Sequence, residues 1–69
     1  MTKQVAITDF LTKAEIEKAI KLKSQKKVRL QIIEPNMARI NKALGQENDA
    51  AYLAYCVEYV LRAAGYWKG

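Results

Sequence analysis

Apolar positions along the chain fall into differently spaced sets, and each spacing predicts a different element. Between Thr12 and Lys23, the apolar residues Ile16, Ala19 and Ile20 recur at helical intervals while Lys18 and Lys21 lie on another side, the pattern of an amphipathic helix. Thr12 and Glu15 stand three residues apart at its start, where each side chain can satisfy the other residue's free backbone N–H. Leu11 and Ile16 are placed to clasp that first turn, so the spacing predicts a helix from about Lys13 to Lys23. From Val28 to Ile32 the period changes. Val28, Leu30 and Ile32 alternate with Arg29 and Gln31, which predicts a strand with Lys27, Arg29 and Gln31 on one face and the aliphatic residues on the other. Pro35 then suits the first turn of a short helix carrying Met37, Ile40 and Leu44, and Gly45 stops it.

A third helix is predicted from Asn48 or Asp49 to about Ala64, with Gly65 as its stop. Leu53, Cys56, Val57, Val60, Leu61 and Ala64 form one apolar stripe. At about 100° per residue, Tyr52, Tyr55 and Tyr59 gather on the far side with Ala63, leaving only a narrow polar strip at Glu58 and Arg62. Such a helix calls for burial from two directions, one supplied by the chain's own core and the other by a second subunit. The predicted strand also calls for a second copy, because a lone strand has nothing to pair with. The expected fold is therefore mainly α with one short strand, in the order α-β-α-α. Two such chains would pair as a homodimer through a two-stranded intersubunit antiparallel ribbon. Its interface would draw on Val28, Leu30 and Ile32 of the strand and on Leu53, Tyr55, Cys56, Val57, Tyr59 and Val60 of the third helix. Residues 1–11 form an N-terminal arm, with a possible extra strand at Gln4 to Ile7. Residues 12–65 form one helix-strand-helix-helix domain, and residues 66–69 form a tail.

The length of 69 residues strengthens the case for association. A chain this small buries only about 60% of the surface its unfolded form exposes, and small folds usually need a disulfide, a metal or a partner subunit. Cys56 is the one cysteine and there is no histidine, which excludes an intrachain disulfide and leaves no ordinary zinc site. A lone reduced thiol and a short, polar beginning from Met1 to Ile7 point to the cytoplasm. No apolar run approaches the roughly 20 residues that span a bilayer, so a membrane partner is not expected.

Charge adds a polarity that the hydrophobic pattern lacks. Residues 1–42 carry ten Lys/Arg against four Asp/Glu, a balance of +6; residues 43–69 carry two against three, a balance of −1. Lys21, Lys23, Lys26, Lys27 and Arg29 fall close together, the electrostatic footprint of a polyanion binder. Catalysis has little to work with. Cys56 lies in an apolar stripe with no histidine to activate it, Glu15 and Glu17 point to different sides of their helix, and the segments around Gly45 and Gly65 lack phosphate-cradling patterns. No catalytic residue, metal site or cofactor is expected. The strand is the chemically suggestive element: Lys26, Lys27, Arg29 and Gln31 supply the cation and amide groups that read guanine and adenine edges in the major groove.

A strand from Val28 to Ile32, Pro35 opening a short helix, a turn, and a longer apolar helix to Ala64 together resemble the ribbon-helix-helix DNA-binding proteins of the Arc and MetJ type, over residues 27–64. The resemblance implies an intertwined homodimer acting as a small transcriptional repressor. Its paired strands would enter the major groove, with Lys27, Arg29 and Gln31 reading bases and with Asp49 and Ala50 at a phosphate-facing helix start. The turn differs from the family's Gly- and Ser/Thr-rich pattern, running Gly45-Gln46-Glu47-Asn48-Asp49. A helix-turn-helix over Ala38 to Ala54 ranks lower, because its recognition helix would begin Asp49-Ala50-Ala51-Tyr52 without a base reader. An alternative of another class is a small protein-interaction module, an antitoxin or phage-type inhibitor, which docks another protein through the tyrosine-rich third helix and the basic segment.

Overall fold

The computed structural model describes residues 6–68. A 3-10 turn, Ile7–Asp9, leads into helix α1, Lys13–Leu22. The predicted cap is present: the Thr12 amide donates to Glu15 Oε1 at 2.9 Å and the Glu15 amide to Thr12 Oγ1 at 3.2 Å. Helix α1 ends in a left-handed residue, Lys23 (φ 50°, ψ 33°), whose amide donates to the Ala19 carbonyl at 3.3 Å. Ser24 follows at once as the cap of the next helix, its hydroxyl accepting from the Lys27 amide at 3.3 Å. Two residues therefore turn the chain.

The expected strand is not there. Residues 25–44 wind helically through α2 (Gln25–Val28), a π-turn (Arg29–Ile33), a 3-10 turn (Glu34–Asn36) and α3 (Met37–Leu44). Among the described residues there is no strand, so the α-β-α-α order and the intersubunit ribbon are both corrected. The physical reason is backbone hydrogen bonding: an isolated strand leaves its amides and carbonyls unpaired, whereas a helix satisfies them within one turn. Burial follows helical spacing. Val28, Ile32 and Ile33 are buried and Leu30 is 46% exposed, where an alternating strand would have sent Val28, Leu30 and Ile32 inward together.

Pro35 explains why this helix is irregular. It has no N–H to donate, and its ring crowds the carbonyl one turn back. The chain relieves the crowding by widening the preceding turn, so that the Glu34 amide donates to the Arg29 carbonyl five residues back. Leu30 and Gln31, in the widened turn, are exposed. Asn36 completes the repair with its side chain, donating from Nδ2 to the Ile32 carbonyl at 2.7 Å.

Helix α4, Ala50–Ala63, closes the fold. Asp49 caps it by accepting from the Tyr52 amide at 2.6 Å, after a turn at Gly45 whose φ of 72° suits glycine. Leu53, Ala54, Val57 and Leu61 form its buried side and join Phe10, Val28, Ile32, Ile33 and Ile40 in one core. That core extends beyond residues 12–65 at both ends, because Ile7, Phe10, Leu11 and Trp67 are also buried. Residues 1–5 of the expected arm, with the first half of its possible strand, lie outside the described residues. Two polar ties hold the layers. Glu15 accepts from Arg39 Nη2 at 2.8 Å and from Asn36 Nδ2 at 3.3 Å, joining α1 to the irregular helix. Trp67 Nε1 donates to the Ala19 carbonyl at 3.1 Å in a buried site, fastening the C-terminal turn under α1.

Two substitutions separate the helix from the strand. Leu30→Glu should change stability by less than about 0.5 kcal/mol, the range of an exposed site. Ile33→Glu should abolish cooperative unfolding, because it buries an unpaired carboxylate in a marginal core. Urea titration followed by circular dichroism distinguishes them, and the opposite order would restore the alternating strand. Trp67→Phe should cost about 1–2 kcal/mol by the same measurement, from the lost indole donor and imperfect packing.

Candidate nucleic-acid interface

Arginines and lysines are used differently in this chain. Each of the three arginines lies beside a carboxylate: Arg29 Nε is 3.7 Å from Glu34, Arg39 Nη2 is 2.8 Å from Glu15, and Arg62 Nη2 is 2.8 Å from Glu58. Among the described residues no lysine is in an ion pair. Lys21, Lys23, Lys26 and Lys27 are all exposed and bracket the tight turn from α1 to α2. The left-handed Lys23 and the Ser24 cap hold the ends of the two helices close together, which concentrates four unneutralised charges at one corner.

The predicted base readers are not brought together. Lys26 and Lys27 are exposed on α2, but Arg29 is half-buried and turned toward Glu34, and its Nε has no hydrogen-bond partner. Gln31 is exposed on the π-turn. Residues two apart on a helix lie on different sides, so Lys27, Arg29 and Gln31 do not share a face as they would on a strand. At the start of α4, where the resemblance implies a phosphate, the Asp49 carboxylate already accepts the Tyr52 amide.

The residues expected at a dimer interface also separate. Val28, Ile32, Leu53 and Val57 are buried in the chain's own core, Cys56 and Val60 are half-buried, and Leu30, Tyr55 and Tyr59 are exposed. Tyr52, Tyr55 and Tyr59 lie opposite the buried side of α4, and the rings of Tyr55 and Tyr59 stack with centroids 6.5 Å apart. Cys56 holds the Tyr52 phenol above its usual range, first by a side-chain hydrogen bond, then by charge, with slight desolvation adding to both.

A third feature lies where the basic corner meets the C-terminal turn. An open depression of about 560 Å³ is lined by Lys23, Ser24, Gln25, Glu58, Arg62, Gly65, Tyr66, Trp67 and Lys68. Sequence reasoning placed Tyr66 to Gly69 in a tail and so missed Tyr66 and Lys68. The available signal was the aromatic pair directly after a helix-stopping glycine, since a large apolar side chain there usually docks back onto the fold. Among the described residues no group of three or more His, Cys, Asp or Glu could hold a metal ion, and no helix is long and apolar enough to cross a membrane.

Comparison with known proteins finds no matching family model, no similar curated protein and no similar solved structure.

Proposed function

We propose that the chain is a non-enzymatic nucleic-acid-binding protein that grips the phosphate backbone of DNA through Lys21, Lys23, Lys26 and Lys27. The observation that carries this reading is the division of labour among the cations. The arginines are engaged by the chain's own carboxylates, while the corner lysines remain solvated point charges, the form in which lysine meets phosphate without reading sequence. Net charge of +5, concentrated in residues 1–42, favours the same partner. Recognition of bases by Arg29 is no part of this proposal, since that side chain is half-buried and turned toward Glu34. We place the protein in the cytoplasm, where the single Cys56 thiol would stay reduced.

A second surface supports self-association. The outward side of α4 presents Tyr52, Tyr55 and Tyr59, and the charge at their edge, Arg62, is already paired with Glu58. In a twofold interface every unpaired charge near the axis meets its like, so a phenol-bearing face whose bordering charge is already paired is self-complementary. About half of each tyrosine is exposed, or roughly 100 Å² apiece. The face alone therefore falls short of the roughly 800 Å² per partner of a stable complex and fits a weak dimer. The same surface could take another protein, and the oligomeric state decides between them.

Binding to a labelled DNA duplex should weaken steeply with salt, log K falling against log salt by about 0.9 for each phosphate contacted. Replacing Lys26 and Lys27 together by alanine should make that slope shallower by nearly 2. Absence of any binding at low ionic strength would defeat the reading. For the second surface, Tyr59→Glu should shift sedimentation toward the monomer at high protein concentration without lowering the urea midpoint; a wild-type chain that remains monomeric there rules out the dimer.

A further inference from the structure

The depression between the α1–α2 turn and the C-terminal turn has the make-up of a nucleotide site. Its volume of about 560 Å³ falls within the roughly 300–1,000 Å³ of small-ligand pockets. Lys23, Arg62 and Lys68 give it three positive charges against the single carboxylate of Glu58, a balance of +2. Glu58 is already occupied, accepting from Gln25 Nε2 at 2.8 Å and pairing with Arg62 at 2.8 Å. What is left facing the opening is cationic.

Tyr66 supplies the other half of such a site. Its neighbour Trp67 is 5% exposed, yet Tyr66 is 53% exposed and lines the depression. The ring does not sit on a loose end. The Tyr66 amide donates to the Leu61 carbonyl at 2.9 Å and the Gly65 amide to the Arg62 carbonyl at 3.1 Å. Gly65 takes a φ of 88° that other residues rarely adopt, and the buried Trp67 indole anchors the next position. An aromatic ring held open beside cations is the arrangement on which an unpaired base stacks while its phosphates find the charges. A duplex buries its base faces in its own stack, so it offers this ring nothing.

We infer that this depression binds a nucleotide of a single nucleic-acid strand, with the base against Tyr66 and the phosphates toward Lys23 and Lys68. The inference rests on the proposed phosphate-gripping corner and extends it: Lys23 belongs to both surfaces, so a strand leaving the site continues past Lys26 and Lys27.

The full chain can be titrated at low salt with a ten-residue thymidine strand, with a DNA duplex of equal length, and with thymidine monophosphate. Trp67, the one tryptophan, lines the site and reports occupancy by its fluorescence. The expected result is saturable quenching by the strand at roughly tenfold lower concentration than by the duplex, with the mononucleotide giving the same spectral change only at much higher concentration. Tyr66→Ala should weaken strand binding by about tenfold, the usual effect of removing one stacking ring, and Tyr66→Phe should restore it. Equal binding of strand and duplex, both sensitive to Lys26 and Lys27, would overturn the nucleotide site while leaving the basic corner intact. Tighter binding of the mononucleotide than of the strand would overturn the assignment to a polymer. Failure of strand and duplex alike would remove both readings. The comparison of strand with duplex uses the unaltered protein, so a Tyr66 variant that folds poorly does not weaken it.

Discussion

The arrangement depends on where the backbone amides of residues 25–44 find acceptors. A chain offering one short extended segment and no second strand to receive it must leave those groups to water or coil them, and Val28, Ile32 and Ile33 cannot be buried while their backbone is unpaired. Coiling settles the conflict but runs into Pro35. The wide turn before it, the tight turn that contains it and the Asn36 side chain on the Ile32 carbonyl are parts of one accommodation. Glu15 then binds that accommodation to the first turn of α1 through Asn36 and Arg39. The irregular helix is thus both the centre of the core and the support on which α1 and α4 rest.

The locally determined features could be read from the chain. The Thr12–Glu15 cap, the turn at Gly45, the Asp49 cap and the stop at Gly65 each depend on residues a few positions apart, and the inward side of α4 at Leu53, Val57 and Leu61 follows its spacing. The segment from Val28 to Ile32 was ambiguous for a physical reason. Val28 and Ile32 are neighbours on a helix and share one face of a strand, so only Leu30 and Ile33 discriminate. In the candidate site, the lysine cluster was visible as composition, whereas the loss of Arg29 to Glu34 was not. A five-residue separation brings these side chains together through the widened turn before Pro35, and a proline read as the start of a new helix gives no sign of widening the turn before it. The role of Tyr66 was hidden because it depends on Trp67 reaching Ala19, forty-eight positions away in the chain.

The chemical difference between the two basic residue types gives the surface its order. A planar, multiply donating guanidinium suits a fixed carboxylate partner, and here arginine joins parts of the fold: Arg39 links α3 to α1 and Arg62 steadies the Glu58 that receives Gln25 of α2. The ammonium groups at the corner are exposed and outside the ion pairs. The tyrosines of α4 occupy a surface away from the corner lysines, bordered by the Arg62–Glu58 pair. Electrostatic attraction and apolar contact are therefore assigned to different parts of a molecule with very little area to divide.

Lys23 shows what this allocation costs. Its left-handed backbone disfavours an L-residue by about 1–2 kcal/mol, and glycine would occupy the position without that penalty. Selection for thermal endurance alone would favour replacing it, and the relaxed bend so obtained would forfeit a cation that lines the depression. Position 23 is accordingly where durability and affinity pull against each other, and a laboratory search for hardier variants should drift toward glycine there as its hold on polyanions declines.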